Sequence, residues 1–475
     1  METEELKALV SRVVHRKFES QTIELKKADG GCPKCRDTLS SFSNQDQGGI
    51  ILFGIDEENN FNVNGVYDVA DLEKKVQSQC AEMEPPVRAY FTEMEFKPGT
   101  FLVSAEIPAC VYAKRPCYYL PAGRLGGSYV RVGEADEKMS EFEIYSYDAW
   151  HNRTREDLRI IKEASVKDFD PTLVSKLLAN AREDRPNLQS IADEKSLELL
   201  GLVKEGKPTL AGLLVLSHFP DAYFPRLSIN VVRIPGAEMG SLADNGARFT
   251  ANKSFKGAAG EMIGEAYDFV LANLKHYTII GEDGRRADRF EYPEIAIRES
   301  LLNAVLHRDY SRYSDSIPVS VEIYDNRLEI KNPGGILGDV DPEKLGKVTP
   351  ETRNPALVAA MECLGESENR FSGIPTIRKA LEDFSLPRPV FKITRGQFVV
   401  VFKNLDYLKE KGHSDAESIL VFCQKPKTRS ELAAFLRVGV NYAMSKFVLP
   451  LVQEGKLVMS MPEKPQSPLQ TFISK

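Results

Sequence analysis

Apolar and polar positions divide the chain into four spans of different period. From Met1 to about Tyr147 the runs are short and two-fold. "SQTIELKK" alternates as a strand, and "GGIILFGIDEENNFNVNGV" predicts a strand, an Asn-Asn turn and a returning strand. "GTFLVSAEIP" and "GGSYVRVG" add more strands, and "PKCRDTLSSFSN" predicts a helix opened by Pro33. Gly48-Gly49 fits a close backbone approach ahead of a buried strand. From Asp148 to Pro208 the period turns helical, clearest in "DPTLVSKLLANAR", where Asp170 is placed to cap and Pro171 to take the first position.

The third span, Thr209 to Asn404, opens with the apolar runs "LAGLLVLSHF" and "RLSINVVRI". It continues with an amphipathic helix in "IRESLLNAVLHRDY" and a hairpin in "IPVSVEIYDNRLEIKNPGGI". In that hairpin Ile317, Val319, Val321 and Ile323 share a face, Asp325-Asn326 turns, and Leu328 and Ile330 continue the core side. The last span predicts three short helices. Thr428 and Glu431 form a capping box at the second, and the third runs from about Asn441 to Glu454 before the alternating "KLVMSMPEKPQSPLQTF". That is winged helix-turn-helix order. The expected architecture is an α+β multidomain chain: an α+β domain over 1–147, a helical connector over 148–208, a helix-and-hairpin domain over 209–404 and a winged helix over 411–475.

Composition narrows the class. With 42% apolar and 28% charged residues the 475-residue chain can bury more than one core. No run approaches the roughly 18 to 20 apolar residues needed to span a bilayer, and the first twenty residues lack the apolar stretch of a signal peptide. A cytoplasmic protein without a membrane partner is expected. Seven cysteines at irregular spacing make no disulfide framework, and Cys32-x-x-Cys35 has no second ligand pair at zinc-finger distance. Net charge is −7, so nucleic-acid contact must come from local patches. One patch holds Arg12, Arg16, Lys17, Lys26, Lys27, Lys34 and Arg36; the other lies in 411–475, with nine Lys or Arg against five Asp or Glu.

Candidate chemistry concentrates on the amphipathic helix. Glu299, Asn303 and His307 recur at steps of four and form one stripe, while Leu301, Leu302, Val305 and Leu306 face a core. A Glu can polarise water, an Asn carbonyl can bind Mg²⁺ without adding charge, and His307 or Arg308 can touch phosphate. Gly334-Gly335 after Asn332 lets backbone approach a ligand, and Ser372-Gly373 immediately precedes a helix whose free N–H groups favour phosphate.

Together "RESLLNAVLHRDYS", "DNRLEIKNPGG", "RNPALVAAMECLG" and "SGIPTIRKA" resemble the GHKL-type ATP-binding domain, an α/β sandwich shared by gyrase, histidine kinases and mismatch-repair ATPases. They resemble most closely the divergent form joined to an AlbA/Schlafen-type domain. The resemblance implies ATP and Mg²⁺ as cofactors, Glu299 as the water-activating base of a weak ATPase and Asn303 as the Mg²⁺ ligand. Asn332 stands where the class has an adenine-recognising Asp. Self-association follows by the same analogy.

"ESQTIELKK" followed by "SSFSNQDQGGIILFGIDEE" resembles the AlbA/Schlafen domain, through "GSYVRVGEAD". That resemblance implies nucleic-acid contact, DNA or RNA, near Lys26, Lys27 and Arg36. In nucleolytic members it implies an acidic, Mg²⁺- or Mn²⁺-binding cluster of Glu19, Glu24 and either Asp56 or Glu57. In the winged helix, the third helix offers Asn441, Ser445 and Lys446 to DNA. The leading expectation is a nucleotide-responsive DNA-binding regulator; the alternative is a metal-dependent nuclease controlled by ATP, with a role in defence.

Overall fold

Strand alternation near the N-terminus resolves into a four-stranded sheet with a core on each face. The computed structural model describes all residues except 18, 281–285, 339, 341, 348–350, 366–372, 395, 405–406, 408–415, 437–438, 465–466 and 468–469. Two compact units result, Met1–Thr154 and Arg155–Lys475.

The first unit contains α1 (Thr3–Arg16), β1 (Ile23–Lys26), α2 (Arg36–Asn44), β2 (Gly49–Phe53), β3 (Tyr90–Lys97) and β4 (Thr100–Ile107). The sheet runs β1-β2-β4-β3, with β1 parallel to β2 and the other pairs antiparallel. Period-two alternation sends Ile51, Phe53, Val103 and Ala105 to the α2 side with Leu39 and Phe42. Leu25, Leu52 and Leu102 go to the α1 side with Leu6, Val10 and Val13. Gly48 has φ +63°, and a Cβ there would run into the Ile107 carbonyl; one at Gly49 would enter the Phe42 ring. A hairpin of β5 (Tyr129–Val132) and β6 (Ala135–Lys138) packs beside α2, and α3 (Glu141–His151) closes the unit behind a Ser140/Glu143 capping box.

Pro33 does not open α2. The helix starts at Arg36 with Cys35 in the cap position, because the Cys35 amide donates to Gln79 Oε1 at 2.8 Å and leaves Pro33 outside the turn. The Cys32 and Cys35 thiols both approach the Pro33 carbonyl, at 3.4 and 3.6 Å. Burial raises both thiols, Cys35 to about 12, so the pair is protonated and unreactive at neutral pH.

In the second unit, α4 (Pro171–Asp184) is capped as its sequence predicts, Asp170 Oδ1 accepting from the Leu173 amide at 2.8 Å. The run "LAGLLVL" forms the short helix α5 (Leu210–Leu216), buried all round and capped by Thr209. From Arg155 onward the stretch expected as a connector shares the main core: Ile161, Leu177 and Leu197 belong to one cluster with Leu213, Val231, Leu301 and Phe402.

That core lies between helices and a mixed sheet. Its elements are β7 (Ile229–Arg233), β8 (Ala251–Phe255), α6 (Ala259–Ala272), α7 (Glu294–Leu306), β9 (Val319–Ile323), β10 (Arg327–Pro333), α8 (Pro355–Cys363), α9 (Gly373–Asp383), β11 (Val390–Thr394) and β12 (Gln397–Lys403). Strand order is β8-β7-β9-β10-β12-β11, with β7 parallel to β9 and the remaining pairs antiparallel. Helix α7 touches α6, α9 and β10. The α/β sandwich thus places the Glu299 stripe between a sheet strand and the start of α9.

The C-terminal module has its own core. It comprises α10 (Ala416–Phe422), β13 (Lys427–Thr428), α11 (Arg429–Leu436), a third helix over Val440–Gln453, β14 (Leu457–Met459) and β15 (Thr471–Ser474), with sheet order β13-β15-β14. Glu431 accepts from the Thr428 amide and hydroxyl, completing the expected box. The third helix widens to a π turn at Met444–Val448 ahead of Pro450, which has no N–H to give. No single described helix is long and apolar enough to cross a membrane.

One ion cluster ties α4 to α6. His218 Nε2 lies 3.2 Å from Asp170 Oδ2 and Nδ1 lies 3.0 Å from Glu261 Oε1. The two carboxylates, Glu261 first, raise the imidazole above its ordinary 6.5. A raised folded-state value means that its stabilisation is complete below 6.5 and is lost as pH climbs through the raised value. His218→Gln is expected to flatten the Tm-against-pH curve on the alkaline side of 6.5; an unchanged slope would show that this contact does not titrate with folding.

Candidate functional site

Helix α7 ends at Leu306, and His307 is its cap, donating its amide to the Asn303 carbonyl at 3.0 Å. The end is closed from outside: Asn354 Nδ2 donates to the Leu306 and Arg308 carbonyls at 2.9 Å each. Glu299, Asn303 and His307 line one cavity of about 200 Å³, together with Asn332, Gly335, Arg353, Gly373, Phe398 and Val400.

The cavity has two chemically different ends. At one, α9 begins against the stripe: a Cβ on Gly373 would stand 3.0 Å from Glu299 Oε2 and 3.2 Å from Asn303 Nδ2. The first N–H groups of any helix have no acceptor within the helix, so such an end favours an anion. At the other, Asn332 is buried opposite Phe398 on β12, and its Nδ2 contacts the Pro333 carbonyl at 3.3 Å. Gly334 has φ +96°, and a Cβ there would lie 3.0 Å from Asp309, whose amide donates to the Pro333 carbonyl at 2.8 Å. Glycine is required to bring the two chain segments that close.

Of the two expected phosphate contacts, Arg308 turns away from the cavity and His307 stays in it without a charge. Arg308 is 2% exposed and turns inward, donating to the carbonyls of Asp309, Ser314 and Ile317 at 3.3, 3.1 and 2.9 Å. Its charge is spent on a loop and does not reach the cavity. His307 does line the cavity, but burial, with Arg353 adding to it, pushes its imidazole down to about 4, so it is neutral; its Nδ1 lies 3.2 Å from Thr352 Oγ1. Ser372 lies outside the described residues, whereas Gly373 is in place.

Sequence reasoning missed Arg353. Among the described residues lining the cavity it is the cationic side chain, with Nη2 donating to the Gly335 carbonyl at 2.8 Å and Nη1 3.5 Å from Asp309 Oδ2. Its signal in the sequence was its place at the head of "RNPALVAAMECLG", one of the stretches that carry the resemblance.

In the first unit Glu24 and Glu57 both lie near enough to Glu19 to raise its carboxyl. Among the described residues no three His, Cys, Asp or Glu side chains are arranged to hold a metal ion. A buried guanidinium sits among them instead: Arg131 Nη1 is 2.8 Å from Glu24 Oε2 and 3.0 Å from Asp136 Oδ1, and Nη2 is 3.6 Å from Glu19 Oε2. Glu19 also accepts from the Leu25 amide at 2.7 Å, and Thr38 and Ser41 hydroxyls hold Asp136 at 2.7 and 2.6 Å. Burial, reinforced by Glu24 and Glu57, raises the Glu19 carboxyl to about 7. Asp56 belongs to a different pair, with Lys27 at 2.9 Å holding its carboxyl below the usual range. Glu57 is exposed and raised by partial burial and then by Glu24.

The basic residues expected to meet nucleic acid are already engaged. Lys26 bonds Glu24, Lys27 pairs with Asp56, and Arg36 pairs with Glu82 at 2.9 Å while lying over the Tyr119 ring. Asn441 and Lys446 are exposed on the third helix of the C-terminal module.

Fold and cavity define a mixed α+β protein with a small four-stranded-sheet domain and a helix-on-sheet domain that holds the cavity. Comparison with known families agrees. Residues 19–140 match the family described as "Schlafen, AlbA_2", and residues 317–402 match the one described as "Putative ATP-dependent DNA helicase recG C-terminal". The chain therefore joins an N-terminal Schlafen/AlbA_2 domain to a RecG-like HATPase_c_4 domain. Among solved structures, the DIP2311 protein from Corynebacterium diphtheriae is similar at 18% identity, over 99% of this chain and 97% of that one, with a TM-score of 0.42. No curated protein matches.

Proposed function

We propose that the chain is a cytoplasmic, ATP-binding and nucleic-acid-binding protein, a nucleotide-responsive DNA-binding transcriptional regulator that acts as a homo-oligomer. The two domain types support the coarse part of this reading, nucleotide and nucleic-acid binding. One observation carries the nucleotide site: Glu299, Asn303, Asn332, Gly335 and Gly373, from three separate chain segments, line one cavity.

The donor set suits Mg²⁺ shared with phosphate. Mg²⁺ is held by one or two protein oxygens plus phosphate oxygens and water, so the Asn303 carbonyl with Glu299 beside it is sufficient. When bound, Mg²⁺ would neutralise phosphate charge. Asn303 would bind it, Glu299 would orient and deprotonate a water, and the start of α9 would face the phosphates. Asn332 would meet the base through a carboxamide, a weaker acceptor than a carboxylate for an amino group. With neutral His307 and engaged Arg308, turnover would be slow and sensing the main use.

DNA contact is assigned to the exposed third-helix residues Asn441, Ser445 and Lys446 and to the Schlafen/AlbA_2 domain. The buried Arg131 among Glu19, Glu24 and Asp136 weighs against metal-dependent nuclease chemistry there. The test is a gel shift on duplex DNA at several salt concentrations, with and without Mg²⁺ and a non-hydrolysable ATP analogue. Affinity should fall with salt and change about fivefold or more with nucleotide. Equal affinity with and without nucleotide would end the regulator reading, and cleavage of DNA or tRNA in Mn²⁺ that Glu24→Ala abolishes would favour the nuclease.

A further inference from the structure

Helix α9 starts at the cavity, and the connection that follows it is bonded to the C-terminal module. Its first residue, Gly373, is packed against Glu299 and Asn303, close enough that one added carbon would stand 3.0 Å from the carboxylate. Its 11 residues span about 16 Å. Along that length Ile377, Ala380 and Leu381 are buried, and Arg378 Nη1 donates to the Leu345 carbonyl at 2.5 Å.

Beyond α9 the chain turns at Ser385 and continues as Leu386-Pro387-Arg388-Pro389 into β11. Leu386 is buried in the main core. The two prolines fix φ and stiffen this short connection. From it come two bonds to the C-terminal module. Gln424, just past α10, donates Nε2 to the Leu386 carbonyl at 3.3 Å, and Arg388 Nη2 donates to the Lys475 carbonyl, next to β15, at 3.1 Å. Gln424 Oε1 is buried at the same joint without a hydrogen-bond partner.

We propose that α9 is the coupling element: filling the cavity beside Glu299 and Asn303 displaces its N-terminus, and the Leu386–Pro389 connection passes that displacement to the winged helix through Gln424 and Arg388. This rests on the nucleotide reading of the cavity. The physical argument is steric. A Cβ at Gly373 would already stand 3.0 Å from Glu299 Oε2 and 3.2 Å from Asn303 Nδ2, so a phosphate lodged at this end of the cavity presses on the start of α9. Interiors packed at crystal-like density respond to such an insertion by moving an element as a unit. A helix with two positions, both of which bias the joint at its far end, meets the requirement for coupling between sites.

The experiment is hydrogen–deuterium exchange on the full chain, with and without Mg²⁺ and a non-hydrolysable ATP analogue, beside calorimetry of the same analogue. Wild type is expected to show heat of binding, altered exchange in 373–383, and an exchange change of about fivefold or more in 416–422 and 471–474. Gln424→Ala with Arg388→Ala is expected to keep the heat and the change in 373–383 but lose the change in the winged helix. Heat of binding with no winged-helix response in wild type would overturn the coupling alone, as would a double variant that transmits like wild type. No heat at all would overturn the nucleotide reading and the coupling with it. Circular dichroism on the double variant, with Arg388→Ala alone as a milder second form, separates uncoupling from misfolding.

Discussion

Asn303→Ala abolishes the thermal stabilisation that Mg²⁺ and ATP give the intact chain. A ligand at a hundred times its Kd stabilises the folded state by about 2.7 kcal/mol, and all of that should disappear, because the variant removes the neutral oxygen on which the cation reading depends. The unliganded protein should hardly change. Asn303 is half-buried within α7, and alanine is the better helix former. Glu299→Gln is the companion: it should keep the nucleotide-dependent rise in Tm but lose on the order of 10² or more in whatever hydrolysis is present, since an amide cannot take the proton from water. Scanning fluorimetry with and without nucleotide reads the first effect and phosphate release the second. An Asn303→Ala chain that gains as much Tm from Mg²⁺ and ATP as wild type would remove the proposed site.

What could be read from sequence followed from periodicity. Glu299 and Asn303 recur at the helical step, and the structure puts both on the cavity side of α7 while Leu301 and Val305 are buried behind them. The β9–β10 hairpin was legible for the same reason: two-fold alternation fixes which side chains enter the core, and Val321, Ile323, Leu328 and Ile330 do. The cap at Asp170 and the box at Thr428 were local signals and needed nothing from the rest of the chain. Periodicity stops carrying information where the helix stops. His307 and Arg308 follow one another past the end of α7; one lines the cavity uncharged and the other folds inward onto three carbonyls. No spacing rule distinguishes those fates, because they are decided by Arg353 and by the loop through Ile317. Amphipathic helices after Arg155 read equally well as a linker or as core, and only the partners of Leu177 and Leu197 settle which. For the N-terminal acids the deciding residue, Arg131, arrives on a hairpin far downstream, so carboxylates that look like a metal cluster in sequence already have a cation in the fold.

That internal cation supports the second large prediction. Arg131→Met, which keeps most of the side chain's bulk, should destabilise the first unit by about 3 to 5 kcal/mol at pH 8, because it removes the guanidinium from Glu19 and Asp136 and leaves Glu24 with Lys26 alone. Arg131 and Glu19 are 5% and 6% exposed, so water cannot take over the role. The loss should shrink on acidification. Glu19 already has its carboxyl raised to about 7 from 4.5, chiefly by burial. For an acid raised in this way, the favourable contribution is complete below 4.5 and is lost as pH rises through about 7. Without Arg131 the lowering that it gives Glu19 is gone, so urea unfolding should show the variant closest to wild type near pH 5 and furthest from it near pH 8. Adding Glu19→Gln and Glu24→Gln should restore part of the loss at pH 8, since uncharged amides need no cation. Mn²⁺ supplies the deciding arm. If the acids are built to hold a divalent ion, Mn²⁺ should stabilise wild type; if Arg131 is their permanent partner, Mn²⁺ should leave wild type unchanged and stabilise only Arg131→Met, where the guanidinium no longer competes. Equal stability of Arg131→Met and wild type at pH 8 would show that the cluster contributes nothing to holding this domain together.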